Sequence, residues 1–142
     1  MRALLLILFS ASCLAQPLPA DSPTVELSAG MYLIRAEVAA DFQTRSRGLM
    51  FRKELASNAG MLFVFDEPGS QCMWMKNTLI PLSVAFLDAR GTIINIEEMT
   101  PQTEDSHCAR RSADYALEMN GGWFAARGIK PGMRIGGIPG SN

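Results

Sequence analysis

The sequence predicts an α+β fold that is mainly β, a small twisted sheet closing into a barrel-like domain with two short helices. Three observations predict it. Apolar stretches of strand length recur from Thr24 to Ile135, separated by Gly, Pro, Asn and Asp turn signals. Helix-start chemistry occurs at only two places, after Asp41 and after Gly122, and each is followed by few residues before the next breaker. The chain has 142 residues of which 48% are hydrophobic, enough for one core and crowded for two.

Residues 24–27 and 31–38 flank Ser28, Ala29 and Gly30 as a hairpin. In the second stretch Tyr32, Ile34, Ala36 and Val38 alternate with Arg35 and Glu37, the period of a half-buried strand. Asp41 is placed to cap a helix from Phe42 to about Met50 that carries Arg45 and Arg47. Residues 60–65 are apolar on both faces and predict a central strand covered twice, ended by Glu67, Pro68, Gly69 and Ser70. Residues 72–75 and 82–87 read as further strands, and the turn at 88–91 returns the chain into 92–97. Residues 101–113 form one long polar loop holding His107, Cys108, Arg110 and Arg111. A strand at 116–119 leads through Asn120, Gly121 and Gly122 into a short helix at 123–127, with Gly128 as its left-handed cap. After the turn at 129–132, residues 133–135 supply the last strand.

The start of the chain reads differently. Met1 and Arg2, an apolar run over 3–14 and small residues up to Ala15 have the layout of a secretory signal, giving a signal peptide over 1–15 and a flexible linker over 16–23, with a second cut conceivable after Ala20. The run is shorter than the about 20 apolar residues of a membrane span, so the mature chain, the linker followed by a single domain over 24–142, is expected to carry no transmembrane segment. Cys13 offers lipid anchoring as an alternative, although Ser10, Ala11 and Ser12 lack the leucine of a good lipobox. The expected location is exported and periplasmic. There Cys72 and Cys108 become candidates for a disulfide worth about 3–4 kcal/mol, against the alternative of two unpaired thiols.

Charge narrows the partners. Thirteen Lys+Arg against 14 Asp+Glu give a net charge of -1, which offers no field for a phosphate backbone, so nucleic acid is not an expected partner. The one histidine, His107, limits zinc centres and catalytic triads alike. Nothing implies a cofactor, and a monomer is expected.

Four blocks arrive in order: Arg47, Gly48, Leu49, Met50, Phe51 and Arg52; residues 60–65; Trp74, Met75, Lys76, Asn77 and Thr78 running on to Pro81 and Leu82; and Ala116, Leu117 and Glu118 with Gly122. Together they resemble the bacterial and archaeal family known as domain of unknown function 192, over roughly residues 25–135. The resemblance implies a compact β-rich domain, often exported, with no established activity. Two positions depart from that family's pattern: Ser83 stands where an aspartate usually follows the Pro-Leu pair, and Met133 where an aspartate usually follows Gly132.

Trp74, Lys76, Asn77 and Thr78 offer an aromatic face, a cation and short polar groups, the kit of a small polar-ligand pocket, with Arg47 and Glu118 in support. A turn plus core is the competing assignment, in which Asn77 and Thr78 bond their own backbone and Arg47 and Glu118 fix the first helix to the sheet. The resulting expectation is an exported, non-catalytic binding or accessory domain for an unknown small polar ligand or envelope protein. One alternative is a Cu(I) carrier using Met73, Met75, Met99 and His107. Another is a cell-envelope hydrolase or transferase with Cys108 or Ser83 as nucleophile.

Overall fold

The computed structural model describes residues 22–140. The expected signal peptide, Cys13 and most of the expected linker lie outside these residues. Strands β1 (Thr24–Ala29) and β2 (Tyr32–Ala39) form the first hairpin, and helix α1 (Phe42–Arg47) connects β2 to β3 (Ala59–Gly69). Short strand β4 (Cys72–Met73), then β5 (Leu82–Leu87), β6 (Ile93–Met99) and short strand β7 (His107–Cys108) follow. Strand β8 (Ala113–Asn120), helix α2 (Trp123–Ala126) and β9 (Ile135–Gly136) complete the order.

Seven strands make one sheet in the order β6-β5-β8-β3-β2-β1-β9. Its β2–β3 pair is parallel because α1 carries the chain back across the sheet, while the other neighbours are antiparallel. The two edges then find each other. An antiparallel bridge joins Thr92 to Arg134, Ile93 N–H donates to Met133 O at 2.9 Å, and Ile135 N–H donates to Gly91 O at 2.9 Å. Gly91 is required at this seam, since its φ is +77° and a Cβ there would lie 2.6 Å from Ile135 O. The sheet is therefore curled and barrel-like.

A curled sheet has two faces, and both are covered. One apolar cluster draws Leu27, Ile34, Leu62, Leu117, Ala85, Ile93 and Ile135 from all seven strands, with Trp123 and Phe124 of α2 packed into it. That membership is what a barrel interior demands. On the opposite face Met61, Phe63, Val84, Phe86 and Ala116 pack under Leu49, Met75 and Ala109 from the connecting segments. All six residues of β5 are buried as a result.

Several boundaries differ from expectation. Helix α1 stops at Arg47 because Gly48, at φ 50°, turns the chain. Strand β3 does not end at Glu67 but runs through to Gly69, bulging between Val64 and Gly69 where Pro68 cannot donate to the ladder. The 72–75 strand is only Cys72–Met73, and it pairs outside the main sheet with β7, which lies inside the segment expected to be loop. No helix among the described residues is long and apolar enough to cross a membrane.

A disulfide joins Cys72 to Cys108 across that small pair, closing a sequence separation of 36 residues. Asn95, almost fully buried, secures the same segment: its amide donates to Cys108 O at 3.1 Å and its carbonyl accepts from Arg110 N–H at 3.0 Å. Replacing both cysteines by serine is expected to cost about 3–4 kcal/mol in urea unfolding. The purified protein should gain the mass of two hydrogens on reduction, and an unchanged mass would mean free thiols.

Candidate functional site

The site grows from the end of α1. Asp41 caps the helix by accepting from Thr44 N–H at 2.8 Å, which holds its carboxyl below the usual carboxylate range, and Thr44 Oγ1 accepts from Asp41 N–H in return. The last turn of the helix carries two basic residues, Arg45 and Arg47. Arg45 is committed, since its guanidinium donates to Ala40 O at 2.6 Å, to Val64 O at 2.8 Å and to the Asp66 carboxylate. Arg47 is exposed and, among the described residues, has no such partner.

Beyond Gly48 the backbone is strained. Phe51 has φ 65°, and its N–H donates to the carbonyl of Asn77 at 2.9 Å. Asn77 itself has φ 54°, inside a turn in which Thr78 N–H donates to Met75 O at 3.1 Å and Thr78 Oγ1 donates to Lys76 O at 3.3 Å. Next along this chain of contacts, Gln102 at φ 57° donates its N–H to Thr78 O at 3.0 Å. The three non-glycine residues with positive φ among those described thus meet at one place. Such conformations cost roughly 1–3 kcal/mol each and gather where a surrounding structure over-determines them.

Glu118 lies beneath. It occupies β8 between Met61 of β3 and Val84 of β5, and only 3% of it is exposed. Among the described residues no donor reaches its side-chain oxygens and no cation pairs with it. Burial pushes its carboxyl up from near 4.5 to about 8, so it is a neutral acid at neutral pH, with one O–H to donate and one oxygen to accept. It opens on a cavity of about 30 Å³ walled by Arg47, Gly48, Leu49, Phe63, Trp74 and Thr78, among others. That volume admits a group of about water to carboxyl size.

Of the six residues expected to bind ligand, the structure brings Arg47, Trp74, Thr78 and Glu118 to this cavity. Lys76 and Asn77 do not line it: Asn77 forms the turn, and Lys76 stands over the Trp74 ring, 5.2 Å from its centroid and 3.8 Å from Glu104 Oε1. Arg47 and Glu118 share the cavity without making an ion pair. Trp74 is 48% exposed while Met75 is fully buried, so the two neighbours divide rim and core between them.

The other candidates fall elsewhere. Met73 faces His107 across β4 and β7, but Met75 and Met99 sit inside the second apolar cluster. Cys108 is in the disulfide. Ser83 is fully buried toward the opposite face from Glu118, donates to Glu98 Oε2 at 2.6 Å and accepts from Gly122 N–H at 2.7 Å. Two participants escaped the sequence reading. Phe51 stood only as a member of the block from Arg47 to Arg52, and its positive φ carried no signal, because strain is a property of the closed loops. Asn95 carried one: a lone amide among Ile93, Ile94 and Ile96 has to find partners once buried.

A larger open groove of about 380 Å³ runs along β1 and β2, lined by Thr24, Glu26, Arg35 and Asn58 among others. It contains no buried unpartnered polar group.

The buried acid fixes a pH dependence. The unfolded chain releases the Glu118 proton near 4.5 and the folded chain retains it up to about 8, so between those values the native state binds more protons and stability falls as pH rises. Glu118→Gln should remove that slope. We expect the variant to match the parent near pH 5 and to exceed it by on the order of a few kcal/mol at pH 9, measured as urea unfolding at pH 5, 7 and 9.

Comparison with known proteins agrees with this architecture. The pattern of the DUF192 family, described as Uncharacterized ACR, matches residues 25–137. A crystal structure of a protein provisionally named as a transcription regulator, from Sinorhizobium meliloti 1021, aligns at 37% identity and a TM-score of 0.75, covering 80% of this chain and 92% of that one. A crystal structure of a protein of unknown function from Novosphingobium aromaticivorans DSM 12444 aligns at 33% identity and a TM-score of 0.77, covering 84% and 92%. No curated protein matches the chain. The chain belongs to the DUF192 family, the domain of unknown function 192.

Proposed function

We propose that this protein is an exported, non-catalytic domain that binds a small polar ligand in the cleft over Glu118, with Arg47 and Trp74 at its rim. The observation that carries the reading is Glu118: a residue 3% exposed whose carboxyl has no partner among the described residues and lines a cavity. A buried polar group without a hydrogen bond is costly, and a ligand that supplies the bond relieves the cost only while bound. The backbone strain at Phe51, Asn77 and Gln102 supports the same place. The disulfide fits an oxidising compartment. The provisional name of the Sinorhizobium protein points toward nucleic acid, but 13 basic against 14 acidic residues give this chain little with which to hold a phosphate backbone.

Amide-resolved NMR titration with a panel of small polar fragments tests the reading. Shifts should gather at Arg47, Leu49, Trp74 and Thr78. Trp74→Ala should weaken a hit about tenfold with the fold intact, the loss of roughly one aromatic contact. Shifts confined to the groove at Thr24, Glu26, Arg35 and Asn58 would move the site away from Glu118 to the β1–β2 groove.

A further inference from the structure

Resting on that reading, we infer that the group entering the cavity is the carboxylate of a small organic acid with an apolar body, held between the Glu118 carboxyl, which donates a hydrogen bond to it, and the Arg47 guanidinium. Four observations select this chemistry. The one charge lining the cavity without a counter-charge among the described residues is positive: Arg47 has no partner there, whereas Lys76, over the Trp74 ring outside the cavity, is offset by Glu104 at 3.8 Å. An amine would meet the Arg47 cation. Inside, Glu118 is neutral at neutral pH and offers an O–H, the complement of an oxyanion, and hydrogen bonds to a charged acceptor are the stronger kind. The cavity of about 30 Å³ holds about one water's volume, so only a small head group enters and the body of the ligand stays outside. Finally, the cavity-lining Trp74 is 48% exposed and Phe51, which follows the cavity-lining Met50 and is tied by its N–H to Asn77 in the next turn, is 60% exposed, so both leave apolar surface open. A ligand that buries its head and leaves its body against these rings uses all of them.

The pH dependence follows from Glu118 and its surroundings. From α1 come Arg45, already bound to Asp66, and Arg47. On the same face β2 presents Glu37, paired with Arg52, and β6 presents Glu97, which accepts from Asn95 and lies 3.9 Å from Arg110. Strands β3 and β5 present Met61, Phe63 and Val84. The small β4–β7 pair adds His107, opposite the cavity-lining Met73, and the following turn adds Lys76 with Glu104. Once Glu118 ionises it can no longer donate, and its charge repels the bound carboxylate.

The test measures dissociation constants at constant ionic strength for benzoate and indole-3-acetate, for the matching amides benzamide and indole-3-acetamide, and for benzylamine. At pH 6 the carboxylates should bind at least tenfold tighter than the amides, and benzylamine should not bind. Raising the pH to 9 should weaken the carboxylates about tenfold. Glu118→Gln, which keeps a donor at every pH, should retain the carboxylate preference and lose the pH effect, whereas His107→Gln should keep it. Arg47→Ala should weaken the carboxylates about tenfold and leave the amides unchanged. If amides bind as tightly as carboxylates at the cavity, the carboxylate assignment is overturned while the cleft reading stands. If none of the probes shifts the residues around Glu118, both fall. A pH effect that persists in Glu118→Gln would overturn the part given to Glu118.

Discussion

A sheet whose middle strands are apolar on both sides has to be covered twice, and much else in this protein follows from that requirement. Curling the sheet covers one side with itself, since every strand contributes to the interior cluster and α2 fills what remains. The other side has little regular structure to cover it, since α1 has six residues with none buried and the β4–β7 pair has two residues in each strand. It is covered instead by irregular segments, whose backbone groups must still be satisfied. They are satisfied by one another: Met75 N–H donates to Thr103 O at 3.0 Å, Ala109 N–H to Gln71 O at 2.8 Å, and Phe51 N–H to Asn77 O at 2.9 Å. Loops bonded to loops have little intrinsic preference for one arrangement, which is where the disulfide and the buried amide of Asn95 contribute.

The cavity is a consequence of this second cover. Where the end of α1 and the Trp74–Thr78 turn converge over β8, the sheet presents a carboxyl rather than a methyl or thioether. The strands are drawn tightly together at that level, for a Cβ on Gly60 of β3 would lie 2.5 Å from the carbonyl oxygen of Glu118. Glu118 therefore has little freedom to withdraw, and its side chain is held toward the cavity by the ladder on both sides. The rigidity of the cavity comes from strands, one of which carries Glu118, while Arg47, Trp74 and Thr78 come from the end of α1 and from the connecting segment, a division that the proposed binding site would share with others.

The fold was largely legible because it is written in local patterns. Alternation gave β2, the two-sided apolar run gave β3 as a central strand, the turn after Leu87 gave the β5–β6 hairpin, and Gly128 with φ 66° ends α2 where the left-handed cap was expected. What escaped were features that depend on distant partners: the seam between Thr92 and Arg134, the separate β4–β7 pair, and the continuation of β3 past Pro68. The site was legible in part for the same reason. Trp74, Thr78, Arg47 and Glu118 could be nominated from residue type, but that Lys76 turns outward onto the Trp74 ring, and that Arg47 stands near Glu118 without pairing to it, depends on how the loops close.

The two departures from the family pattern bear on the site by where they lie. Ser83 projects toward the interior cluster and holds the turn before α2: it takes the Gly122 N–H at 2.7 Å while Glu98, reached by the Ser83 hydroxyl and by the same N–H at 3.1 Å, supplies a carboxylate from the neighbouring strand. At the other position Met133 Sδ accepts from Lys130 N–H at 3.3 Å, a contact an aspartate oxygen would make in the same turn. Both are turn-holding roles met by other acceptors, and both are separated from Glu118 by the thickness of the sheet or by the seam. The loss of those aspartates therefore leaves the cavity untouched. Glu118 is the opposite kind of residue: nothing in the turn or the ladder requires a carboxyl there, its burial opposes ionisation, and an apolar side chain of similar volume would pack among Met61, Phe63 and Val84 at lower cost. On the proposed reading, a group that architecture does not need and burial penalises is accounted for by the ligand it would meet in the cavity.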